Sequence, residues 1–280
     1  MDTPTERTLL AGGYRNAVWK VRSSHGSFIE KVYALDADGP NPVFPNIPDH
    51  EVATLRHLAG SGLAPTFESF DERRGDRPAV LRYRFVPGVA WQRGVADVAQ
   101  LLSRVHASTP PPLRHTLGSG AEAVTAADAM VDDVPADLAV RLRRHRPEGL
   151  PGDGPPRRCL VHTDCGPGNL LRTRAGLILI DWQCPGIGDP VEDLSCFASP
   201  AIQHLYRCPP LSARLVERFL TAYDDPAAGL RYRRHGAGWH YRLAAYCAWR
   251  AHRLATEQPD TAARYREALD AELDHLERSW

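Results

Sequence analysis

The sequence lacks several features that would assign a protein to a class at once. Its 280 residues carry 34 Lys and Arg against 34 Asp and Glu, so the formal net charge is zero. Proteins that bind nucleic acids usually need an excess of basic residues to neutralise phosphates. No apolar run approaches the roughly 18 residues that span a bilayer. We therefore expect neither a nucleic-acid partner nor a membrane-spanning segment.

Targeting signals and cysteine motifs are also missing. Residues 1–10, MDTPTERTLL, contain neither the basic segment nor the apolar core of a signal peptide, which predicts a cytoplasmic protein. The cysteines show no CxxC spacing and no short-spaced framework, so they predict buried or idle thiols rather than a zinc site or a disulfide network. The six cysteines are Cys159, Cys165, Cys184, Cys196, Cys208 and Cys247.

Strand-prone runs occupy most of the first ninety residues. AVWKVRS and SFIEKVYA are joined by a turn at residues 24–26, and two further runs lie at 66–71 and 79–86. One helical pattern, EVATLRHLAG, separates the two pairs of strands. We predict that Asp49 caps its amino terminus.

A Pro-Gly pair at residues 87–88 ends this strand-rich part. Amphipathic helical patterns dominate beyond it, beginning with the apolar face of residues 95–105 and continuing with two helices within 113–158. We predict an α+β fold with two lobes. Residues 1–88 form a small antiparallel sheet lobe, and residues 89–280 form a larger, mainly helical lobe.

Residues 162–182, HTDCGPGNLLRTRAGLILIDW, combine polar side chains with an apolar hairpin. Leu170 and Leu171 begin one strand, residues 174–176 supply turn chemistry, and residues 177–180 form a second strand. The two open ends of a hairpin lie side by side. The polar residues before the first strand should therefore lie close to the Asp that follows the second.

Three oxygen-bearing side chains then converge on one point. Asn169 and Asp181 suit a magnesium ion, which takes few protein oxygens and keeps room for water and phosphate. Asp164 is left to accept a hydrogen bond from an incoming hydroxyl, and His162 joins it as a candidate catalytic residue. In the alternative interpretation, these polar residues only satisfy backbone groups of a turn.

VHTDCGPGNLL followed by LILIDW resembles the catalytic and metal-binding segments of the aminoglycoside phosphotransferase and choline kinase family, which has a protein-kinase-like fold. The resemblance implies ATP and Mg²⁺ as cofactors. It implies a small-molecule hydroxyl acceptor such as an aminoglycoside, choline, ethanolamine, thiamine, homoserine or a sugar. Thr163, Cys165 and Gly166 depart from the family's usual HGDLHPGN, so we expect retained catalytic groups and altered acceptor contacts.

The resemblance also implies a phosphate-binding lysine in the first lobe. Lys31 lies in the strand-prone run FIEKVY. Glu51, at the start of the next helix, is its expected ion-pair partner. The chain has only one other lysine, Lys20, among its 34 Lys and Arg. A compact point charge for phosphate explains this choice of Lys31 over arginine. Lys20 is predicted to be an exposed strand residue.

Two further nucleotide contacts are implied by the resemblance. LAGGYRNAVWKV is similar to a phosphate-covering loop, in which Gly12 and Gly13 bring backbone N–H groups toward phosphates. LRYRFVPG is similar to the strand that enters the hinge, where backbone groups at Phe85 and Val86 would meet the adenine edge.

Several residues in the second lobe admit two interpretations. An aromatic set in the last eighty residues either lines a site for a cationic amine or belongs to a helical core. Acidic residues near it either bind the acceptor or cap helices, and Asp189 and Asp193 are predicted to brace local backbone. The aromatic set comprises Trp239, Tyr241, Tyr246 and Trp249, and the acidic set comprises Glu192, Asp224 and Asp225.

Two other functions compete with a kinase. A kinase-like module could hold nucleotide without catalysis, but it would have no chemical need for the Asp164 carboxylate. A metal hydrolase could be built from His162, Asp164, Asp181 and Asp189, but it leaves Lys31 and Asn169 without a role.

Overall fold

The first part of the chain is rich in strands and the remainder is mainly helical, as predicted. The computed structural model describes residues 6–10, 16–34, 41–150 and 158–280. The strands in these ranges are β1 (Glu6–Leu9), β2 (Ala17–Ser23), β3 (Gly26–Val32), β4 (Phe67–Asp71), β5 (Val80–Arg84), β6 (Val89–Ala90), β7 (Cys159–Val161), β8 (Leu170–Thr173), β9 (Gly176–Leu179) and β10 (Gly186–Gly188). The helices are α1 (Pro48–His57), α2 (Val95–Ala107), α3 (Gly120–Val131), α4 (Ala136–Arg143), α5 (Val191–Ala198), α6 (Pro200–Leu205), α7 (Ala213–Ala222), α8 (Pro226–Arg253) and α9 (Pro259–Ser279).

The first five strands form one antiparallel sheet in the order β1-β2-β3-β5-β4. Side chains alternate between the two faces of a strand, so Ile29 and Lys31 of β3 share the inward face. Tyr33, just after β3, is buried with them. Lys31 pairs in register with Val18 on β2 and with Leu81 on β5, which places a lysine in the middle of the sheet.

The helix α1 does not begin where the sequence analysis placed its cap. It begins at Pro48, its N-cap position is Ile47, and no side chain caps it. Proline is well suited to the first turn because its ring fixes φ and its missing N–H would be unpaired there in any case. The predicted cap, Asp49, therefore lies inside the first turn of the helix. Glu51 lies in the same first turn, on the buried face of α1.

Helix α8 forms the centre of the second part of the chain and packs against α3, α5 and α9. Asp225 caps it by accepting hydrogen bonds from the N–H groups of Ala227 and Ala228. The aromatic set identified in the sequence is buried in this region, which favours the core interpretation. No helix among the described residues is long and apolar enough to cross a membrane.

Three small strand pairings lie where the sheet meets the helices. β8 and β9 form the predicted hairpin, with Leu170 opposite Leu179. β6 adds to the other side of β8, so the chain joins the helical part within a few residues of β5. β7 pairs with β10 and brackets the hairpin from both sides in sequence. These pairings carry the polar residues at both ends of the hairpin.

Candidate active site

The loop that follows β7 is held by one buried carboxylate. Asp193 on α5 accepts hydrogen bonds from the backbone N–H of His162 at 2.8 Å and from that of Thr163 at 2.7 Å. The Nε2 atom of His106 lies 3.0 Å from the same carboxylate. Burial alone would raise the pKa of Asp193, but His106 and the nearby His162 hold that pKa below its usual range. The predicted bracing role of Asp193 is therefore confirmed.

Thr163 adopts a left-handed backbone conformation, with φ of 68°. This conformation is unusual for a β-branched residue and costs roughly 1–2 kcal/mol. The Thr163 hydroxyl donates to the carbonyl of Cys184 at 2.9 Å, and its N–H is fixed by Asp193. These contacts hold a side chain at a position where the family resemblance favours glycine.

The hairpin brings the predicted polar residues together. The N–H of Ile180 donates to the carbonyl of Asn169 at 2.9 Å, so the residue before Asp181 is bonded to Asn169 itself. The side-chain nitrogen of Asn169 donates to the carbonyl of Asp164 at 2.7 Å. This bond fixes the orientation of the amide and leaves its oxygen available to a ligand.

Lys31 joins the sheet to this cluster. Its Nζ atom lies 2.7 Å from Oε2 of Glu51 and 2.5 Å from Oδ1 of Asp181. Tyr33 donates a hydrogen bond to the same Glu51 oxygen at 2.6 Å. Burial alone would lower the pKa of Lys31, but the two carboxylates raise it above its usual range. The predicted Lys31–Glu51 ion pair is present, and Asp181 extends it across the two parts of the chain.

Asp164 is almost enclosed, with 9% of its surface exposed. Burial raises its pKa from 3.8 to about 8, and the nearby Asp181 carboxylate adds to the shift. Asn169 and Lys31 oppose that shift. A carboxyl group whose pKa lies near neutral pH is suited to accepting or donating a proton at a reaction centre.

The raised pKa of Asp164 predicts a pH-dependent stability of the protein without nucleotide. A carboxyl whose pKa is raised on folding stabilises the fold at low pH, and its contribution is lost as the pH rises through the folded pKa of about 8. Between pH 6 and pH 8 this loss amounts to about 2 kcal/mol. Urea denaturation at several pH values measures it as the difference in unfolding free energy between the parent and Asp164→Asn. A difference that stays constant over this pH range would contradict the assignment.

His162 does not have the geometry of a residue that contacts substrate. Its Nε2–H donates to the carbonyl of Ile180 at 3.0 Å, and its Nδ1 accepts from the N–H of Asp164 at 3.3 Å. The ring packs edge-on against Trp182 and has no exposed surface. Burial lowers its pKa, which keeps the ring neutral. We therefore revise its predicted catalytic role to positioning, because it ties the loop that carries Asp164 to the exit of the hairpin.

The other predicted nucleotide contacts have mixed outcomes. Gly12 and Gly13 lie outside the described residues. The N–H of Phe85 already donates to the carbonyl of Ser27 at 3.0 Å, so this donor is not free for an adenine edge. The Phe85 ring instead lies 3.9 Å from Nζ of Lys20, which is half-buried rather than exposed. Val86 is half-buried just beyond β5, and its contact with adenine stays a prediction.

The donor set at the hairpin fits a hard divalent cation. It offers one amide oxygen and one carboxylate, and Mg²⁺ in nucleotide sites takes few protein oxygens together with water and phosphate. Throughout the described ranges, no three or more His, Cys, Asp or Glu side chains are grouped to hold a metal ion. Asp189, which the hydrolase hypothesis needs, is paired instead with Arg231 at 3.0 Å. The Asp189 carboxylate that the hydrolase hypothesis needs is therefore already engaged in an ion pair.

The cysteines and two acids of the second lobe can be assigned from their surroundings. All six cysteines are free thiols, and the predicted burial is confirmed for five of them, with Cys208 partly exposed. Glu192 forms a buried ion pair with Arg242 at 2.9 Å. Asp189 accepts a hydrogen bond from the N–H of Val191 and braces the start of α5, as predicted.

Asp193→Asn should be strongly destabilising. The asparagine would present an NH₂ group to one of two backbone N–H donors, leaving a buried donor unpaired and removing the charge beside His106. We expect the free energy of unfolding to fall by about 3 kcal/mol. Urea denaturation measures this loss, with Asp132→Asn as the control because Asp132 is an exposed partner of Arg143. A loss below about 1 kcal/mol would show that the loop does not depend on this anchor.

Tyr206, at the end of α6, also lies against the loop and was not identified from the sequence. Its ring covers Gly166 and Gly168, and a Cβ atom built on either glycine would overlap the ring. The available signal was Gly166 itself, which departs from the family pattern. A missing side chain in a packed loop implies that a distant residue fills the space.

Comparison with known proteins identifies related sequences and folds. A sequence model described as the phosphotransferase enzyme family matches residues 6–235. A search of curated proteins by sequence found no match.

Several solved structures are similar over nearly the whole chain. An ethanolamine kinase from Plasmodium vivax has a TM-score of 0.65 at 13% identity, covering 98% of this chain and 83% of that one. A choline kinase from Cryptosporidium parvum has a TM-score of 0.64 at 12% identity, with coverage of 98% and 90%. An amicoumacin kinase solved with AMP-PNP and Ca²⁺ has a TM-score of 0.65 at 14% identity, with coverage of 98% and 89%. At these identities the likeness shows the fold alone. Together with the family match, it confirms the predicted α+β, protein-kinase-like fold.

Proposed function

Because the chain belongs to the phosphotransferase enzyme family, we propose that it transfers the γ-phosphoryl group of ATP, with Mg²⁺, to a hydroxyl of a small molecule. The observation that carries the proposal is the position of Lys31. Its buried Nζ atom contacts Glu51 on one side and Asp181 on the other, beside the buried Asp164. This arrangement brings a candidate phosphate-binding cation, candidate metal ligands and a candidate base into one cluster.

Four residues of the cluster would bind ATP and its metal ion. Lys31 would bind the α- and β-phosphates, and Glu51 would hold its ammonium group in place. Asn169 and Asp181 would hold Mg²⁺, which when bound neutralises negative charge on the phosphates. The 37% exposure of the Asp181 side chain, against 1% for Lys31, leaves that carboxylate accessible to a ligand.

Asp164 would orient the acceptor hydroxyl and accept its proton. Its raised pKa belongs to the protein without nucleotide, and a bound cation would stabilise the carboxylate form. Positioning and charge stabilisation supply most of the catalysis in phosphoryl transfer, so one well-placed carboxylate is sufficient on the acceptor side. His162 supports this role through its hydrogen bond to the N–H of Asp164.

The acceptor is proposed as a class, a small alcohol. Structures of the same fold carry the names ethanolamine kinase, choline kinase and amicoumacin kinase, and such names support an alcohol that also bears amino groups. The zero net charge of the chain fits a small-molecule acceptor better than a polyanion. We also propose a cytoplasmic location, consistent with use of ATP.

A coupled assay of ADP release tests the proposal across ethanolamine, choline, thiamine, homoserine and aminoglycosides. We expect at least one alcohol to raise ADP release well above the rate with water alone. Calorimetry with ATP, in Mg²⁺ and in EDTA, provides the second measurement. Tight binding that requires Mg²⁺, without transfer to any alcohol, would favour the inactive nucleotide-binding module. No Mg²⁺-dependent binding of ATP would reject the kinase proposal.

A further inference from the structure

Helix α6 holds Tyr206 on a rigid support. Ser199 caps the helix by accepting a hydrogen bond from the N–H of Ile202 at 3.1 Å. Glu272 on α9 accepts hydrogen bonds from the Ser199 hydroxyl at 2.6 Å and from the N–H of Ala201 at 2.8 Å. The whole start of α6 is therefore fixed to α9 by buried polar contacts. Tyr206 follows the last residue of this short helix, so its backbone position is fixed as well.

The Tyr206 ring spans the loop that carries Asp164. One ring edge, including Cε2, faces Gly166, and the opposite edge, including Cε1, faces Gly168. Both glycines lack the Cβ atom that would overlap the ring, so the loop and the ring fit together only with this pair of glycines. The ring replaces the bulk that a larger residue at position 166 would provide.

The Tyr206 side chain is accessible at the surface. Tyr206 retains 36% exposure. Burial nevertheless raises the pKa of its phenol well above the usual value, and the Asp164 and Asp181 carboxylates add to that shift. An exposed aromatic ring that packs against the loop carrying Asp164 is suited to the wall of a cleft.

We propose that Tyr206 is a specificity-determining residue that contacts the acceptor alcohol and limits its size next to Asp164. The inference rests on the proposed phosphotransferase function and names the surface that the acceptor meets. The exposed ring face packs against the carbon skeleton of the alcohol, and the phenol hydroxyl offers a hydrogen bond to a second polar group of the acceptor. Bulky alcohols are rejected because the ring is held by two glycines and a fixed helix and cannot move aside.

Acceptor preference in Tyr206→Ala and Tyr206→Phe tests the inference. The probes are ethanolamine, choline, N,N-diethylethanolamine and water, each with MgATP. In Tyr206→Ala we expect the ratio of kcat/KM for the bulkiest to the smallest alcohol to rise about 10-fold, while KM for MgATP stays within about two-fold. Hydrolysis of ATP by water should rise several-fold because the alanine opens the space beside Asp164. Tyr206→Phe should keep the size preference and change only KM for the acceptor.

A matched control removes a ring of similar exposure elsewhere. Trp280 is 44% exposed and packs against Gly236 on α8, so Trp280→Ala should leave acceptor preference and ATP hydrolysis unchanged. Thermal unfolding supplies a readout that does not depend on activity. Gly168→Ala should lower the melting temperature by about 3 °C in the parent and by less than half of that in Tyr206→Ala, because the clash is with the ring.

The outcomes separate this inference from the proposed function. If Tyr206→Ala keeps the parent's acceptor ratio and its rate of ATP hydrolysis, the role of Tyr206 is overturned while phosphoryl transfer stands. Equal changes in KM for MgATP and for the alcohols would also overturn it, because they would indicate a general structural effect. Failure of the parent to bind MgATP would instead remove the proposed function on which the inference rests.

Discussion

Asp181→Asn should remove the Mg²⁺-dependent part of ATP binding and reduce phosphoryl transfer about 10³-fold or more. Asparagine has the shape of aspartate and tolerates the left-handed φ of 60° at this position, so the backbone should be retained. The substitution removes one of two carboxylates that contact Lys31 and one of two proposed metal ligands. Calorimetry in Mg²⁺ and in EDTA, together with ADP release, measures both effects.

The control for Asp181→Asn is Asp97→Asn. Asp97 forms an exposed ion pair with Arg172 of β8 at 2.6 Å and lies outside the cluster around Lys31. Exposed pairs contribute little to stability, so this variant should bind MgATP and turn over like the parent. Activity of Asp181→Asn within a few-fold of the parent would contradict the assignment of Asp181 as a metal ligand. The same holds if ATP affinity in that variant keeps its dependence on Mg²⁺.

The parts of the fold that could be predicted from the sequence are those determined locally. The hairpin of β8 and β9 has turn residues between two apolar runs, so its register, and with it the approach of Asn169 to Asp181, follows from short-range rules. The order of sheet and helices follows from the change of hydrophobic period after residue 86. The Lys31–Glu51 pair needed the family resemblance, because nothing in strand periodicity alone places a lysine in a sheet interior.

The parts that could not be predicted depend on contacts between distant segments. Tyr206 reaches the loop only because α6 is fixed to α9, and no local pattern encodes that position. The ring nitrogens of His162 are used by backbone groups that its sequence spacing does not reveal. Asp49 was predicted to cap α1 because Asp is a good capping residue. Proline is favoured at the first helical position, so the helix begins before the predicted cap, at Pro48.

The cluster combines a strained loop with a strong anchor. Thr163 carries the cost of a left-handed conformation, and Asp193 offsets it with two backbone hydrogen bonds. Because Asp193 holds the loop through backbone N–H groups, the Asp164 side chain is not needed for this anchor. We therefore expect that Asp164 can be replaced without loss of the loop conformation, so that its chemical role can be measured directly.

Asp164→Asn should separate binding from transfer. Asp164 lies next to the proposed metal ligands but is not assigned as one, so the Kd for MgATP should stay within about three-fold of the parent value. Transfer to an alcohol should fall on the order of 10³-fold, because an amide cannot accept the hydroxyl proton. The N–H of residue 164 still reaches His162, and the side chain of Asn169 still reaches the carbonyl of residue 164, so the loop should keep its conformation.

The pH dependence makes this test specific to the carboxyl. In the parent, kcat/KM for the alcohol should rise with pH as Asp164 loses its proton, because burial raises the pKa of this carboxyl. The residual activity of Asp164→Asn should lack that rise. A matching loss of MgATP affinity would instead make Asp164 part of the nucleotide site. Transfer close to the parent rate would mean that the hydroxyl is oriented by another group.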